Sequence, residues 1–294
     1  MLTKLVRRAG VAALFMCASA LPAAAQQQSS VLGWMPDLAG SCFGGRDGAG
    51  AVVDRQCFQT QFNFVRTNIT HGAFQGEAVF GYSRDRMRLE MYAWGNEGEP
   101  AVFTPIYRDG VYTIEGAPEN GAPTRAVWRR NEGGFEIAQQ TRQGGAWSDS
   151  NVVTYMRDGA APEVFSAGRA AEVSGGGFGW LDSMAGRCYR QIEPQRVATN
   201  RGCFAYQYAH VLRQTWYAGA AGEATGEAVM FRAPDNEGLR FFYWDARGGF
   251  GVGGSVWSGP VLISLTDTAD DMRRVLRRRG SGFEITTERR TNDP

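Results

Sequence analysis

The 294-residue chain carries 31 basic residues, 30 acidic residues and two histidines, and its formal net charge is +1 at pH 7. This near-neutral balance excludes the strongly basic surface with which proteins neutralise nucleic-acid phosphates, so no nucleic-acid partner is predicted.

The first 25 residues have the pattern of a signal peptide. A positive segment comes first and is made of Lys4, Arg7 and Arg8. An apolar stretch follows at 11–21, and a small-residue cleavage site ends at Ala25. The apolar stretch is shorter than the roughly 20 residues of a membrane-spanning helix, and no other stretch reaches that length. We therefore predict residues 1–25 as a signal peptide, cleavage near Ala25, a periplasmic or secreted location, and no transmembrane segment in the mature chain.

Removal of the leader changes the available chemistry. Three basic residues and no acidic residue lie in 1–25, so the mature chain would carry 28 bases and 30 acids, a net charge of −2. Lys4 is the only lysine, which excludes a lysine base or Schiff base. His71 and His210 do not align between the two halves described below, and no motif for a metal, a phosphate or an activated nucleophile is present. The sequence favours a protein without catalysis, metal or cofactor, and an enzyme has the least support.

Four cysteines remain after the leader, at two equal spacings. Cys42 and Cys57 are fifteen residues apart, as are Cys188 and Cys203. An oxidising compartment favours disulfides, and the repeated spacing favours one within each pair. Each would stabilise the fold by about 3 kcal/mol through loop closure.

The equal spacing belongs to a tandem duplication. At an offset of 146, residues 34–43 align with 180–189, and Gln61 aligns with Gln207. The offset then drifts to 150 and 148, as expected when loops of different length separate retained strands. The predicted boundaries are a first repeat at 31–158, a linker at 159–178 and a second repeat at 179–290.

Each repeat is predicted to be mostly β. Aromatic and β-branched residues alternate with polar ones at 58–65, 77–82, 88–94 and 111–115, and glycine-containing turns separate these runs. Arg129 with Glu136 and Arg277 with Glu284 would form cross-strand ion pairs. Only 34–38 and the linker have helical character. The pattern favours an antiparallel meander that closes on itself, because closure removes exposed strand edges.

The opening of each repeat resembles that of lipocalin-like (calycin-like) barrels. A tryptophan and a short helical segment lead into Gly40-Ser41-Cys42 and Gly186-Arg187-Cys188. The family motif is Gly-x-Trp, so a cysteine stands here in the place of the tryptophan. The resemblance implies an all-β fold of two tandem closed antiparallel barrels with a cavity for a small apolar ligand, and in this chain each would contain one disulfide.

The candidate binding residues recur between the repeats. Glu77 and Glu227 each follow a glycine, and they are either inward carboxylates that bind a ligand or solvated strand ends. Trp94 aligns with Trp244, which ends a run of four aromatic residues that includes Tyr243. Such a run places two rings on each face of a strand, so the rings either line a pocket or are buried between the halves.

Three functions remain open at this point. The first is an exported lipocalin-like protein that binds a small apolar molecule in one or both barrels. The second is a protein-interaction module, such as an inhibitor of secreted proteases, for which residues 26–31 are the candidate extended segment. The third is a structural envelope protein whose partner is unknown.

Overall fold

The computed structural model describes residues 31–119, 121–162, 177–193, 196–208, 210–219, 222–233, 238–266 and 272–289. The predicted signal peptide, positions 26–30 of the candidate extended segment and positions 163–176 of the predicted linker lie outside this part of the chain. No helix in the described ranges is long and apolar enough to cross a bilayer.

The first half begins with a 3₁₀ helix at Met35–Leu38, where helical character was predicted. Its strands are β1 (Ser41–Arg46), β2 (Val52–Gln61), β3 (Phe64–His71), β4 (Phe74–Ser83), β5 (Arg88–Gly95), β6 (Ala101–Phe103), β7 (Ile106–Arg108), β8 (Val111–Glu119), β9 (Ala122–Arg130), β10 (Gly134–Gln143) and β11 (Ala146–Ala160).

The second half begins with a 3₁₀ helix at Gly179–Met184. Its strands are β12 (Arg187–Glu193), β13 (Arg196–Gln207), β14 (Val211–Ala218), β15 (Glu223–Arg232), β16 (Gly238–Asp245), β17 (Phe250–Ser258), β18 (Val261–Thr266), β19 (Met272–Arg279) and β20 (Gly282–Arg289).

The first sheet is a nearly closed barrel. Strand β1 pairs on one side with β2 and on the other with β11, so the sheet continues around the barrel in the order β6-β5-β4-β3-β2-β1-β11-β10-β9-β8-β7. No pairing joins β6 to β7 among the described residues. The first 3₁₀ helix buries Met35 and Leu38 in the interior of this barrel.

The second sheet is a half-barrel. Its nine strands form a simple antiparallel meander from β12 to β20, and no described strand joins these two edges. The predicted closure is therefore not seen in this repeat, because it has no described counterpart of β11. The second 3₁₀ helix packs Leu181 and Met184 into the hydrophobic cluster on the concave face of the sheet.

The two predicted disulfides are present. Cys42 bonds to Cys57 across β1 and β2, and Cys188 bonds to Cys203 across β12 and β13. Both pairs stand directly opposite one another in the strand register, so the equal spacing in the sequence is that of a repeated hairpin.

Two local predictions need correction. The run at 58–65 is not one strand, because the chain turns at Phe62 and Asn63, which both have positive φ angles. The ion pair between Arg129 and Glu136 forms at 3.3 Å, as predicted. In the second repeat Glu284 instead binds Arg279, at 2.9 Å.

Candidate functional site

The two sheets pack against each other through their outer faces. Strands β3, β4 and β5 of the first repeat meet β14 to β17 of the second. The buried apolar side chains at this contact are Phe64, Val79, Tyr92, Trp94, Val211, Val229, Phe231, Phe242, Trp244 and Phe250. Their sequence neighbours in the strands point into the barrel interiors, as the alternation of a β-strand requires.

Aromatic rings stack across this contact. The ring of Tyr92 lies 4.8 Å from that of Phe242 and 4.3 Å from that of Phe250, and both pairs are nearly parallel. Gly81 leaves room for the rings of Phe64 and Phe250, which stack 4.9 Å apart, since a Cβ there would lie 2.6 Å from Phe64 and 2.9 Å from Phe250. The close packing of rings fixes the position of one sheet on the other.

Two carboxylates and two guanidinium groups are buried at the centre of the contact. Arg66 donates to Glu77 from Nε at 3.0 Å and from Nη2 at 2.6 Å, and Arg213 donates to the same oxygen at 3.2 Å. Arg213 also lies 2.9 Å from Glu227, and Arg66 lies 3.6 Å from Glu227. Each arginine therefore contacts the glutamate of its own repeat and that of the other repeat.

Tryptophan and glutamine side chains extend the cluster in a symmetric way. Trp94 Nε1 donates to Gln207 Oε1 at 3.2 Å, and Gln207 Nε2 donates to Glu77. The counterpart residues repeat this chain of bonds, at 3.1 and 3.0 Å, through Trp244, Gln61 and Glu227. The indole rings of Trp94 and Trp244 stack with their centroids 5.8 Å apart. The two repeats are thus related at this contact by an approximate twofold axis.

We call these eight residues the inter-repeat network: Gln61, Arg66, Glu77 and Trp94 from the first repeat, and Gln207, Arg213, Glu227 and Trp244 from the second. Burial alone would raise the pKa of Glu77, but the guanidinium groups of Arg66 and Arg213 outweigh it and hold that pKa below its ordinary value. Burial likewise opposes the charge of Arg213, yet Glu227 and Glu77 raise its pKa. The network therefore pairs two carboxylates with two guanidinium groups.

The structure brings four of the five predicted binding residues together in this network. Glu77 and Glu227 are 1% and 6% exposed and lie within β4 and β15, so the alternative of solvated strand ends is wrong. Trp94 and Trp244 lie beside them. Tyr243 is elsewhere, because it lies on the opposite face of β16, close to Gly251. Whether any of the five binds a ligand stays a prediction.

The residues missed by sequence reasoning are the two arginines. The recurrence of Gln61 at Gln207 was visible at an offset of 146, but Arg66 and Arg213 align only at 147. A comparison at every offset between 146 and 150 would have aligned the two arginines with each other, as it aligns Glu77 with Glu227.

The interior of the first barrel is filled by aromatic side chains. Phe135 is fully buried, and its ring stacks on Tyr155 at 4.4 Å and on Trp128 at 5.8 Å. A depression of about 270 Å³ lies at one end of the barrel and is lined by Asp37, Leu38, Phe43, Arg130, Glu132, Gly133, Gly134 and Arg157. Four of these lining residues are charged, so the depression does not provide the apolar cavity that the resemblance implies.

The concave face of the second repeat is more open. Ile285 is the counterpart of Ile137, and the exposed fraction of the side chain rises from 7% at Ile137 to 49% at Ile285. Several rings of the concave cluster are only partly buried: Trp180, Tyr189, Phe241, Trp257 and Phe283. Residues that fill the core of the first repeat are therefore accessible in the second.

No group of three or more histidine, cysteine or acidic side chains suited to a metal ion occurs within the described ranges. Comparisons of the chain with protein-family models, with curated proteins and with solved structures find no match.

Proposed function

We propose that this protein is an exported, non-catalytic protein-interaction module in which the first repeat is a scaffold and the second repeat is the binding half. The proposal rests on the difference in solvent exposure between equivalent residues of the two repeats. Ile137 is buried inside the nearly closed barrel, whereas Ile285, in the same local sequence Gly-Phe-Glu-Ile, is half exposed on an open sheet. An accessible apolar surface of this kind is typical of an interaction site.

The inter-repeat network supports this division of roles. Both carboxylates of the network are paired with arginines, so neither is free for acid–base chemistry, and the pairing specifies one arrangement of the packed faces. The first repeat, with its filled interior, then holds the open half-barrel in a fixed orientation. The 3₁₀ opening and the meander also support a distant lipocalin-like relationship, which we propose together with export after cleavage near Ala25.

A photo-crosslinking amino acid at position 285 tests the proposed function. The matched control carries the same group at Val256, which is 52% exposed. Val256 lies on the other face of the sheet, because its neighbour Trp257 packs against Trp180 of the second 3₁₀ helix. In cells that export the protein, we expect a defined polypeptide adduct from 285 and none from 256. No adduct, or the same adducts from both positions, contradicts the proposal.

The binding of a small apolar molecule is a second candidate, supported by the partly buried rings on the concave face of the second repeat. Native mass spectrometry of protein purified from its own host is the direct test. A bound mass that is lost in a Phe241→Ala variant supports this candidate, and a ligand-free spectrum counts against it.

A further inference from the structure

Among the described residues the first sheet has eleven strands and the second has nine, and β11 has no described counterpart in the second repeat. In the first repeat β11 lies between β10 and β1 and pairs with both, in antiparallel register. In the second repeat, β20 corresponds to β10 and β12 corresponds to β1. Among the described residues no strand lies between them. We call the space between β12 and β20 the slot.

The aromatic side chains beside the slot keep the contacts that their counterparts make beside β11 in the first repeat. The rings of Phe43 and Phe135, on β1 and β10, have centroids 5.4 Å apart, and their counterparts Tyr189 and Phe283 are 5.7 Å apart. A second pair of rings agrees. The ring centroids of Phe204 and Phe283 are 5.9 Å apart, and those of their counterparts Phe58 and Phe135 are 5.7 Å apart. The ring contacts between the two edge strands are therefore similar to those in the nearly closed barrel.

The start of the edge strand is also retained in sequence. Residues 134–137 and 282–285 are both Gly-Phe-Glu-Ile. In the first repeat Tyr155 of β11 stands opposite Phe135 and stacks on it with an interplanar angle of 5°, and Val153 stands opposite Ile137. No ring within the described ranges stacks on Phe283 in this way, and Ile285 is half exposed. The slot therefore presents an unused site for one aromatic and one branched side chain.

The charges at the slot point to an acidic side chain on its occupant. In the first repeat Asp158 of β11 binds Arg55 at 3.0 Å. Arg201, the counterpart of Arg55, is exposed and forms no ion pair with any described carboxylate. A Cβ at Gly44 would lie 3.2 Å from the Asp158 carboxylate, and an arginine, Arg190, replaces this glycine in the second repeat. Two arginines thus flank the position equivalent to Asp158.

We propose that the slot accepts an extended strand from a partner polypeptide, which completes the second barrel by antiparallel pairing with β12 and β20. The strand has a β-branched residue, an aromatic residue two positions later and an acidic residue three positions after that, as Val153, Tyr155 and Asp158 are arranged in β11. Unpaired strand edges offer main-chain donors and acceptors for such an addition. This inference rests on the proposed function, because it names the partner of the binding half.

The experiment uses a synthetic peptide of residues 146–160, the sequence of β11, as the probe. Its binding to the two-repeat chain from Gln26 onward is measured by fluorescence anisotropy. A peptide with Tyr155→Ala is compared with it, as are the chain variants Ile285→Asp, in the slot, and Val256→Asp, on the other face. Both substituted positions are about half exposed, and circular dichroism verifies that each variant is folded.

We expect saturable binding of the unmodified peptide. The dissociation constant should rise by about tenfold or more when the peptide carries Tyr155→Ala, and likewise when the chain carries Ile285→Asp. Val256→Asp in the chain should leave the dissociation constant unchanged. No saturable binding, equal binding of both peptides, or a chain that fills the slot by dimerising in light scattering overturns the proposal. If these results occur while crosslinks from position 285 still capture a polypeptide, strand insertion fails but the interaction function stands.

Discussion

Removal of one carboxylate from the inter-repeat network tests whether this network holds the repeats together. Glu77→Ala would leave Arg66 and Arg213 close together, with Glu227 as the remaining acid of the network. Both arginines are buried, so water cannot replace the lost partner without opening the contact. The free energy of unfolding should fall for this reason.

The expected loss is about 3 to 5 kcal/mol, the range for removing one partner of a buried ion pair. An exposed pair provides the matched control, because Arg129 and Glu136 have side-chain exposures of 42% and 33%. Glu136→Ala should cost less than about 1 kcal/mol.

Urea unfolding, followed by tryptophan fluorescence, measures both variants against the unsubstituted chain. Two of the eight tryptophans, Trp94 and Trp244, stack at the contact, so part of the emission change reports on its opening. A loss from Glu77→Ala that is no larger than that from Glu136→Ala would refute the reasoning, since the buried charges would then have little role in joining the repeats.

Three further perturbations have defined outcomes. The pKa of Glu77 is lower in the folded state, so its stabilisation is present above the ordinary value of 4.5 and is lost as the pH falls through the folded value. Urea titrations between pH 3 and 7 should show this acid-dependent loss, and Glu77→Gln should make it shallower; equal pH profiles would count against the assignment. Loss of the disulfide through Cys42→Ser with Cys57→Ser should cost about 3 kcal/mol in the same assay, and an unchanged midpoint would contradict this. Trp94→Ala, which removes a buried ring from the contact, should cost about 3 to 5 kcal/mol, whereas a loss below about 1 kcal/mol would show that the ring is dispensable.

Local patterns made the scaffold predictable. The fifteen-residue spacing of the cysteines reflects a hairpin in which Cys42 stands opposite Cys57, and hairpins are specified within a short stretch of sequence. The strands followed from alternation, and the run ending in Tyr243 and Trp244 places two rings on each face, as expected. The error at Phe62 and Asn63 arose because a tight turn formed without glycine, and an aromatic residue at such a turn resembles a continuing strand.

The site depended on long-range packing that alternation does not specify. Alternation assigns Glu77 and Trp94 to one face of the first sheet, but it does not say that this face meets another sheet. The approximate symmetry of the contact follows from the duplication only when Arg66 is aligned with Arg213, at an offset found nowhere else in the match. The open second repeat was hidden for a different reason: the edge strand β20 begins with the same four residues, Gly-Phe-Glu-Ile, as β10 in the nearly closed barrel.

Amide hydrogen exchange of the free chain tests most directly whether the second repeat is open at the slot. Strand β10 pairs on both sides, with β9 and β11, whereas β20 has a described partner only in β19. We expect β10 to be protected throughout and the alternate amides of β20 that face the slot to exchange much faster. Equal protection of β10 and β20 in the free chain would show that the edge is already paired, and this result would contradict the assignment of the second repeat as the binding half.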